Sequence, residues 1–319
     1  METAQGIYGT YGDDSGVRAN PRGHRQFSQI VREMHSRAVQ LLEINNSLPP
    51  LIGLCLMAAM PGPLVAQVGE PRTTAYELVT TSHDVRSIWS NPGGLSLISE
   101  ASVIAEAHFD LPDGSDARLG QYTVGFNSRG LAFVYQRDRF LSGLTGNTFR
   151  FGISTPMRRG AVGFGITLYR GDGDNARDTD IGVRYLPGSN MDLGLVVRHI
   201  GRPVVRGIAL PISVAGGATW YPSSIANLSG QISVTENQVG SNANLDYRIR
   251  VVISPPRLKA SGLVSVALDN DGLRRVHIGL VWGESSIVAL GTVERLPGTT
   301  RLETISLTGV ASRALTQVR

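Results

Sequence analysis

The chain has 319 residues, of which 41% are hydrophobic and 18% charged, with 38 Gly, 16 Pro, one Cys and a formal net charge of +4. Charge is lower, and Gly more abundant, than the ~25% and ~7% usual for a soluble domain. A single cysteine excludes a disulfide framework and a Cys-based zinc site, the small net charge does not indicate a nucleic-acid binder, and the composition that remains fits a Gly-rich, all-β chain.

In chain order, the first feature is the uncharged apolar run from Leu51 to Met60, followed by Pro61-Gly-Pro63 and, shortly after, by Ala66. A short apolar run ending at a small residue has the form of a secretory signal. It is too short for the ~20 apolar residues of a spanning helix. We therefore expect residues 1–66 to be an N-terminal extension and signal peptide, cleaved after Ala66, with Met34 as a more ordinary start. The other reading is a short buried helix, against which the flanking prolines argue. Cys55 is a poor lipoprotein anchor because bulky Leu54 precedes it.

From residue 97 to 319 the pattern is period-2 alternation, the mark of strands. Val103, Ala105, Ala107 and Phe109 alternate with Ser102, Glu106, His108 and Asp110. Tyr122, Val124 and Phe126 oppose Gln121, Thr123 and Asn127, and Phe149, Phe151 and Ile153 oppose Thr148, Arg150 and Ser154. Val162, Phe164, Ile166 and Leu168 oppose Gly163, Gly165, Thr167 and Tyr169. Ile181, Val183 and Tyr185 oppose Asp180, Gly182 and Arg184; Leu193, Leu195 and Val197 oppose Asp192, Gly194 and Arg198. Tyr247, Ile249 and Val251 oppose Asp246, Arg248 and Arg250. Weaker runs near residues 133, 215, 230, 263, 277, 289 and 305 bring the expectation to about fourteen strands. Turn signals such as Ser128-Arg-Gly130, Arg158-Arg-Gly160, Pro187-Gly188 and Asn270-Asp-Gly272 lie between them.

Alternation fits a soluble sandwich, with its apolar face inward, or a transmembrane barrel, with that face to lipid. The signal-like run, strands of about ten residues against the usual five or six, and polar faces holding isolated Arg and Asp favour a single antiparallel transmembrane barrel. Tyr122, Tyr135, Tyr169, Tyr185, Trp220, Tyr221, Tyr247 and Trp282, near run ends, sketch aromatic girdles.

Before the first strand stands Asn91-Pro92-Gly93-Gly94-Leu95. Asn before Pro favours an extended or Asx-type turn, and paired Gly allows close backbone approach. The motif resembles the "NPAGL" sequence of FadL-type outer-membrane transporters and the related PorV/PorQ barrels, with Gly93 in place of Ala. That resemblance implies a fourteen-stranded barrel entered through a short N-terminal plug, here residues 67–96, in the outer membrane of a Gram-negative-type bacterium. It implies either passive passage of hydrophobic or small solutes, or a role as partner in protein secretion or surface attachment. The expected partners are outer-membrane lipid and hydrophobic small molecules or secretion-system proteins, and no nucleic acid. A departure is the C-terminal sequence Ser312 to Arg319, which lacks a terminal aromatic.

Chemistry is sparse. No HExxH, GxSxG or phosphate loop is present, so neither an enzyme nor a cofactor is expected. His83, His108, His199 and His277 are scattered. Asp172, Asp174, Asp178 and Asp180 superficially resemble a calcium loop but lack its closing Glu, and we expect an exposed acidic loop there and no metal. Arg150, Arg184, Arg198, Arg248, Arg250 and Arg275 fall on polar faces and are expected to line the lumen. There they either pair across strands with Asp180, Asp192 and Asp246 or bias the bore toward anions. A secreted soluble β-sandwich that binds a ligand is the third reading.

Overall fold

The computed structural model describes residues 76–97, 99–112, 116–140, 144–171, 174–205, 207–236, 244–270, 272–284, 287–295 and 302–314. The signal-like run, Ala66 and the C-terminal residues after 314 lie outside them. The alternating runs form β1 (Ser99–Asp110), β2 (Arg118–Ser128), β3 (Leu131–Arg139), β4 (Thr145–Met157), β5 (Gly160–Gly171), β6 (Asp174–Gly188) and β7 (Met191–Arg198). A small hairpin, β8 (Val204–Val205) and β9 (Ile208–Ala209), follows. The rest are β10 (Ser213–Trp220), β11 (Ala226–Thr235), β12 (Asn244–Ile253), β13 (Ala260–Asp269), β14 (Gly272–Glu284), β15 (Ile287–Arg295) and β16 (Thr304–Ala314).

All but β8 and β9 belong to one closed antiparallel barrel of 14 strands, and it follows chain order around the ring. β7 meets β10 directly, since the small hairpin leaves the wall between them. The ring closes where β1 pairs with β16, from Ala101↔Arg313 to Asp110↔Thr304. The end at which β1 starts and β16 finishes is called the near end below. Its turns are short: residues 129–130, 158–159 and 189–190, with the longest at 254–259. The far end carries the longer connections, including residues 111–117, 199–212 and 236–243.

The polarity of the wall is inverted relative to a soluble protein. Phe151, Leu195, Ile249, Ile278 and Leu307 point outward and are about half exposed, whereas Thr123, Arg184, Asp192 and Ser229 point inward and are completely buried. The outer face of β2, β3 and β4 carries two cross-strand aromatic rows: Tyr122–Tyr135–Phe149, with ring centroids 6.0 and 5.3 Å apart, and Phe126–Phe133–Phe151, at 6.2 and 5.1 Å. Such rows stabilise strand pairs wherever both rings leave water. Strands that shed apolar side chains on one face and gather charges on the other are stable only if lipid covers the first face.

Two expectations are corrected. Tyr169 does not join an outer girdle: it is on the inner face of β5 and buried, because it shares the parity of Thr167. The acidic stretch is not an exposed loop. β6 begins at Asp174, so Asp178 and Asp180 fall on its inner face and are buried, while Asp172 lies outside the described residues.

A membrane barrel and a sandwich respond oppositely to an outward charge. Ile249→Arg is expected to cost about 2–4 kcal/mol in lipid if Ile249 is at mid-membrane, measured by equilibrium unfolding in vesicles. A soluble protein would lose no more than ~0.5 kcal/mol at so exposed a site.

Candidate functional site: an internal plug and its wall

Residues 76–96 run inside the barrel, and most of their side chains are buried. The segment contains one helical turn, α1 (Ser87–Ser90), and a 3-10 turn over Pro92–Ser96. Proline at the start of that turn costs nothing, since its missing N–H has no helical partner there. Asn91 is extended (φ −165°, ψ 106°) and its Oδ1 accepts from Gly93 N at 3.0 Å, which caps the turn. The amide's other half reaches the wall: Nδ2 donates to Val183 O at 3.0 Å and Leu195 O at 3.2 Å, on β6 and β7.

The motif glycines serve close approach rather than a left-handed turn, since neither has positive φ. A Cβ on Gly94 would lie 2.7 Å from Ser82 O, and one on Gly93 would lie 3.0 Å from Ala161 O. The wall yields in the same way. A Cβ on Gly182 would overlap Asn91 Oδ1, and one on Gly163 would overlap the Pro92 carbonyl. Pro92 to Ser96 therefore rests on bare backbone of β5 and β6, at a distance no side chain permits. Leu95 joins Val85, Ile88, Trp89, Ile104, Ala132, Val134 and Val310 in an apolar cluster between plug and wall. A second cluster packs Tyr76 against Val252, Leu263 and Leu290.

Charged contacts hold the segment as well. Arg184, fully buried, forms a bidentate pair with Asp192 through Nε and Nη2, and donates to Ser82 O at 2.8 Å and Thr80 O at 2.6 Å. Arg198 donates to Ser90 O at 2.6 Å, and Arg150 to Ile88 O at 3.4 Å. Arg250 stands 3.4 Å from Glu77, which also takes Arg86 at 2.8 Å, while Arg86 grips Asp84 bidentately. Of the six arginines expected to line the lumen, these four hold the plug. Arg248, 3.4 Å from Asp246, and Arg275 lie farther toward the far end, beside Ser265 and His277. Sequence alternation put all six on the inner face but carried no sign that three of them would meet carbonyls of residues 80–90 and a fourth the Glu77 carboxylate.

The plug's own charges follow from this setting. Burial opposes ionisation of Glu77, but the Arg250 and Arg86 guanidiniums outweigh it and hold its carboxyl down at about 2. Burial, followed by the Arg184 charge, pushes His83 well below its ordinary value. His83 is therefore neutral, and its 3.7 Å approach to Asp192 is a polar contact rather than an ion pair. Groups of this kind fix a segment in place; among the described residues around the plug they do not form a nucleophile-and-base arrangement.

No protein-family model matches the sequence, and no curated protein matches it. Among solved structures the chain is similar to a TodX deltaS2S3 mutant monoaromatic hydrocarbon channel, at 9% identity and TM-score 0.49 over 75% of this chain and 96% of that one. It is also similar to the Ralstonia pickettii toluene transporter TbuX, at 8% identity and TM-score 0.42 over 71% and 92%. A third similarity is to the KdgM porin in complex with disordered oligogalacturonate, at 9% identity and TM-score 0.38 over 66% and 99%.

Two outcomes follow for the plug. Asn91→Asp keeps the bond to Gly93 but turns a carboxylate toward two carbonyls that lose their donor, at a cost of about 1–3 kcal/mol. Trp89 fluorescence, in a background with Trp220→Phe and Trp282→Phe, should shift to the red as the segment loosens while the barrel stays folded. In acid, the Glu77 contribution is expected to be complete above its unfolded value of 4.5 and lost as pH falls through about 2. Glu77→Gln should remove that limb from the same fluorescence titration.

Proposed function

We propose that this chain is an outer-membrane barrel that passes small solutes passively and is closed at rest by its own N-terminal segment. The observation that carries the reading is the pairing of a lipid-compatible outer wall with a polar inner wall that holds a buried, bonded plug. Short turns at the near end and longer connections at the far end fit the periplasmic and extracellular ends of such barrels, so in this proposal the plug's chain start faces the periplasm. Beyond the plug the wall offers Gln121, Gln136, Thr148, Ser233, Arg248 and Arg275. That lining suits small polar or anionic solutes better than hydrocarbon. The hydrophobic cargo implied by the FadL-type resemblance has the Asn91–Leu95 motif as its support, together with a shallow apolar groove of about 580 Å³ outside the β1–β16 seam, bordered by Ala105, Ala107, Leu280, Trp282 and Leu307.

The test is solute flux into liposomes. The full chain should admit small sugars and organic anions slowly. Gly182→Val, or a chain lacking residues 76–90, should admit them about tenfold or more faster while keeping the heat-modifiable migration of a folded barrel. Equal, negligible flux through well-folded protein in all three would overturn the transport reading and favour a barrel that serves as a partner in secretion.

A further inference from the structure

On the far side of the plug's Arg150 and Arg198 anchors, β6 and the residue after β7 bring three metal-ligating side chains together. Asp178 and Asp180, two apart on β6, both face inward and are almost entirely buried. His199 follows β7 in the left-handed region (φ 59°), one of the few side chains that tolerates it. That turn lets its backbone N–H donate to Asp180 Oδ1 at 3.1 Å while its ring Nδ1 meets Asp178 Oδ2 at 2.6 Å. One ligand atom from each of the three residues lies within 4.8 Å of the others. Arg150 is 3.7 Å from Asp180 and offsets one of the two carboxylate charges, which leaves the other with His199 as its close polar partner among side chains.

A second feature points to the same place. Tyr169, on the neighbouring β5, is 5% exposed; its hydroxyl lies beside Arg150 but makes no hydrogen bond of good geometry. It lies within the electrostatic reach of Asp178, Asp180 and Arg150. A buried phenol oxygen so poorly satisfied is costly, and a hydrated cation beside the carboxylates would supply a full partner. Val205 and Leu210, from the connection that carries β8 and β9, close over the Tyr169 ring, whereas His199 keeps an exposed edge by which an ion could enter.

We propose that Asp178, Asp180 and His199 bind one divalent transition-metal ion, with the Tyr169 hydroxyl hydrogen-bonded to its water. Imidazole with two carboxylates selects the zinc, nickel and copper class over calcium or magnesium, which take all-oxygen shells. The ion would take the place of the hydrogen bond between His199 and Asp178. Because His199 starts the connection over residues 199–212, bound metal would tie that connection to the β6 wall.

Calorimetric titration of Zn²⁺ into the metal-stripped full chain in detergent is the test, with thermal unfolding in parallel. One ion per chain and a raised melting temperature are expected. His199 is outside the strand ladder, so His199→Ala leaves the barrel able to fold and should weaken binding by about tenfold or more. Tyr169→Phe should weaken it less, and His108→Ala and His277→Ala not at all. Co²⁺ should give visible d–d bands that are lost with His199→Ala. Failure to bind Zn²⁺ at micromolar concentration, or the same affinity in His199→Ala, would overturn the proposal, whatever the flux experiment shows.

Discussion

The interior depends on one buried cation. Arg184 sits where β6, β7 and the plug meet, with no exposed surface. Asp192 neutralises it from the wall, and the Thr80 and Ser82 carbonyls each take one further donor from the plug. A guanidinium so placed must keep its full set of partners, because removing one from a buried pair costs about 3–5 kcal/mol. The wall therefore needs the plug as much as the plug needs the wall. Undocking residues 80–82 would strip two acceptors from a charge that has no water to turn to. The other plug-holding arginines follow the same logic more weakly, since Arg198 and Arg150 each offer the plug one carbonyl contact.

Around that centre the barrel solves its packing by subtraction. Charged anchors reach across the bore from β4, β7 and β12, while β5 and β6 come close to the Asn91–Ser96 turn by carrying glycine where it presses against them. Long side chains where there is a gap, and none where there is contact, give a bore with fixed depth at each strand. The outer face follows the opposite rule, with large apolar side chains such as Phe151, Leu195, Ile249 and Val264 standing out from it.

Much of the fold could be read from residues alone. Runs such as Phe149-Arg-Phe-Gly-Ile153 state both the strand and its two faces, because one residue out of register would reverse every side chain. Which face meets lipid is not in the alternation, and it took a closed ring with Ile249 outside and Arg250 inside to decide. The acidic stretch from Asp172 to Asp180 differs for a related reason: its aspartates are spaced like a calcium loop, yet a strand starts at Asp174 and carries Asp178 and Asp180 inward. The role of Asn91 was half visible. Its turn chemistry is local and legible before Pro92, but its two bonds to Val183 O and Leu195 O join residues about a hundred positions apart, through carbonyls that leave no mark in a sequence.

The closing seam has a consequence for how the molecule is made. β1 and β16 are joined edge to edge although nearly the whole barrel separates them along the chain. The plug precedes β1 directly, yet its turn rests on β4, β5 and β6, across the bore. A finished ring would have to be threaded by a segment bearing Trp89 and the Asp84–Arg86 pair. A half-open sheet would need no threading, because the turn over residues 91–96 can settle on the concave face of β4 to β6 as soon as those strands exist, leaving Tyr76 and Glu77 to meet β12, β13 and β15 later. Assembly in that order makes the final strand the lid of a vessel already filled, so a chain that lost its plug contacts would still close but would close around water.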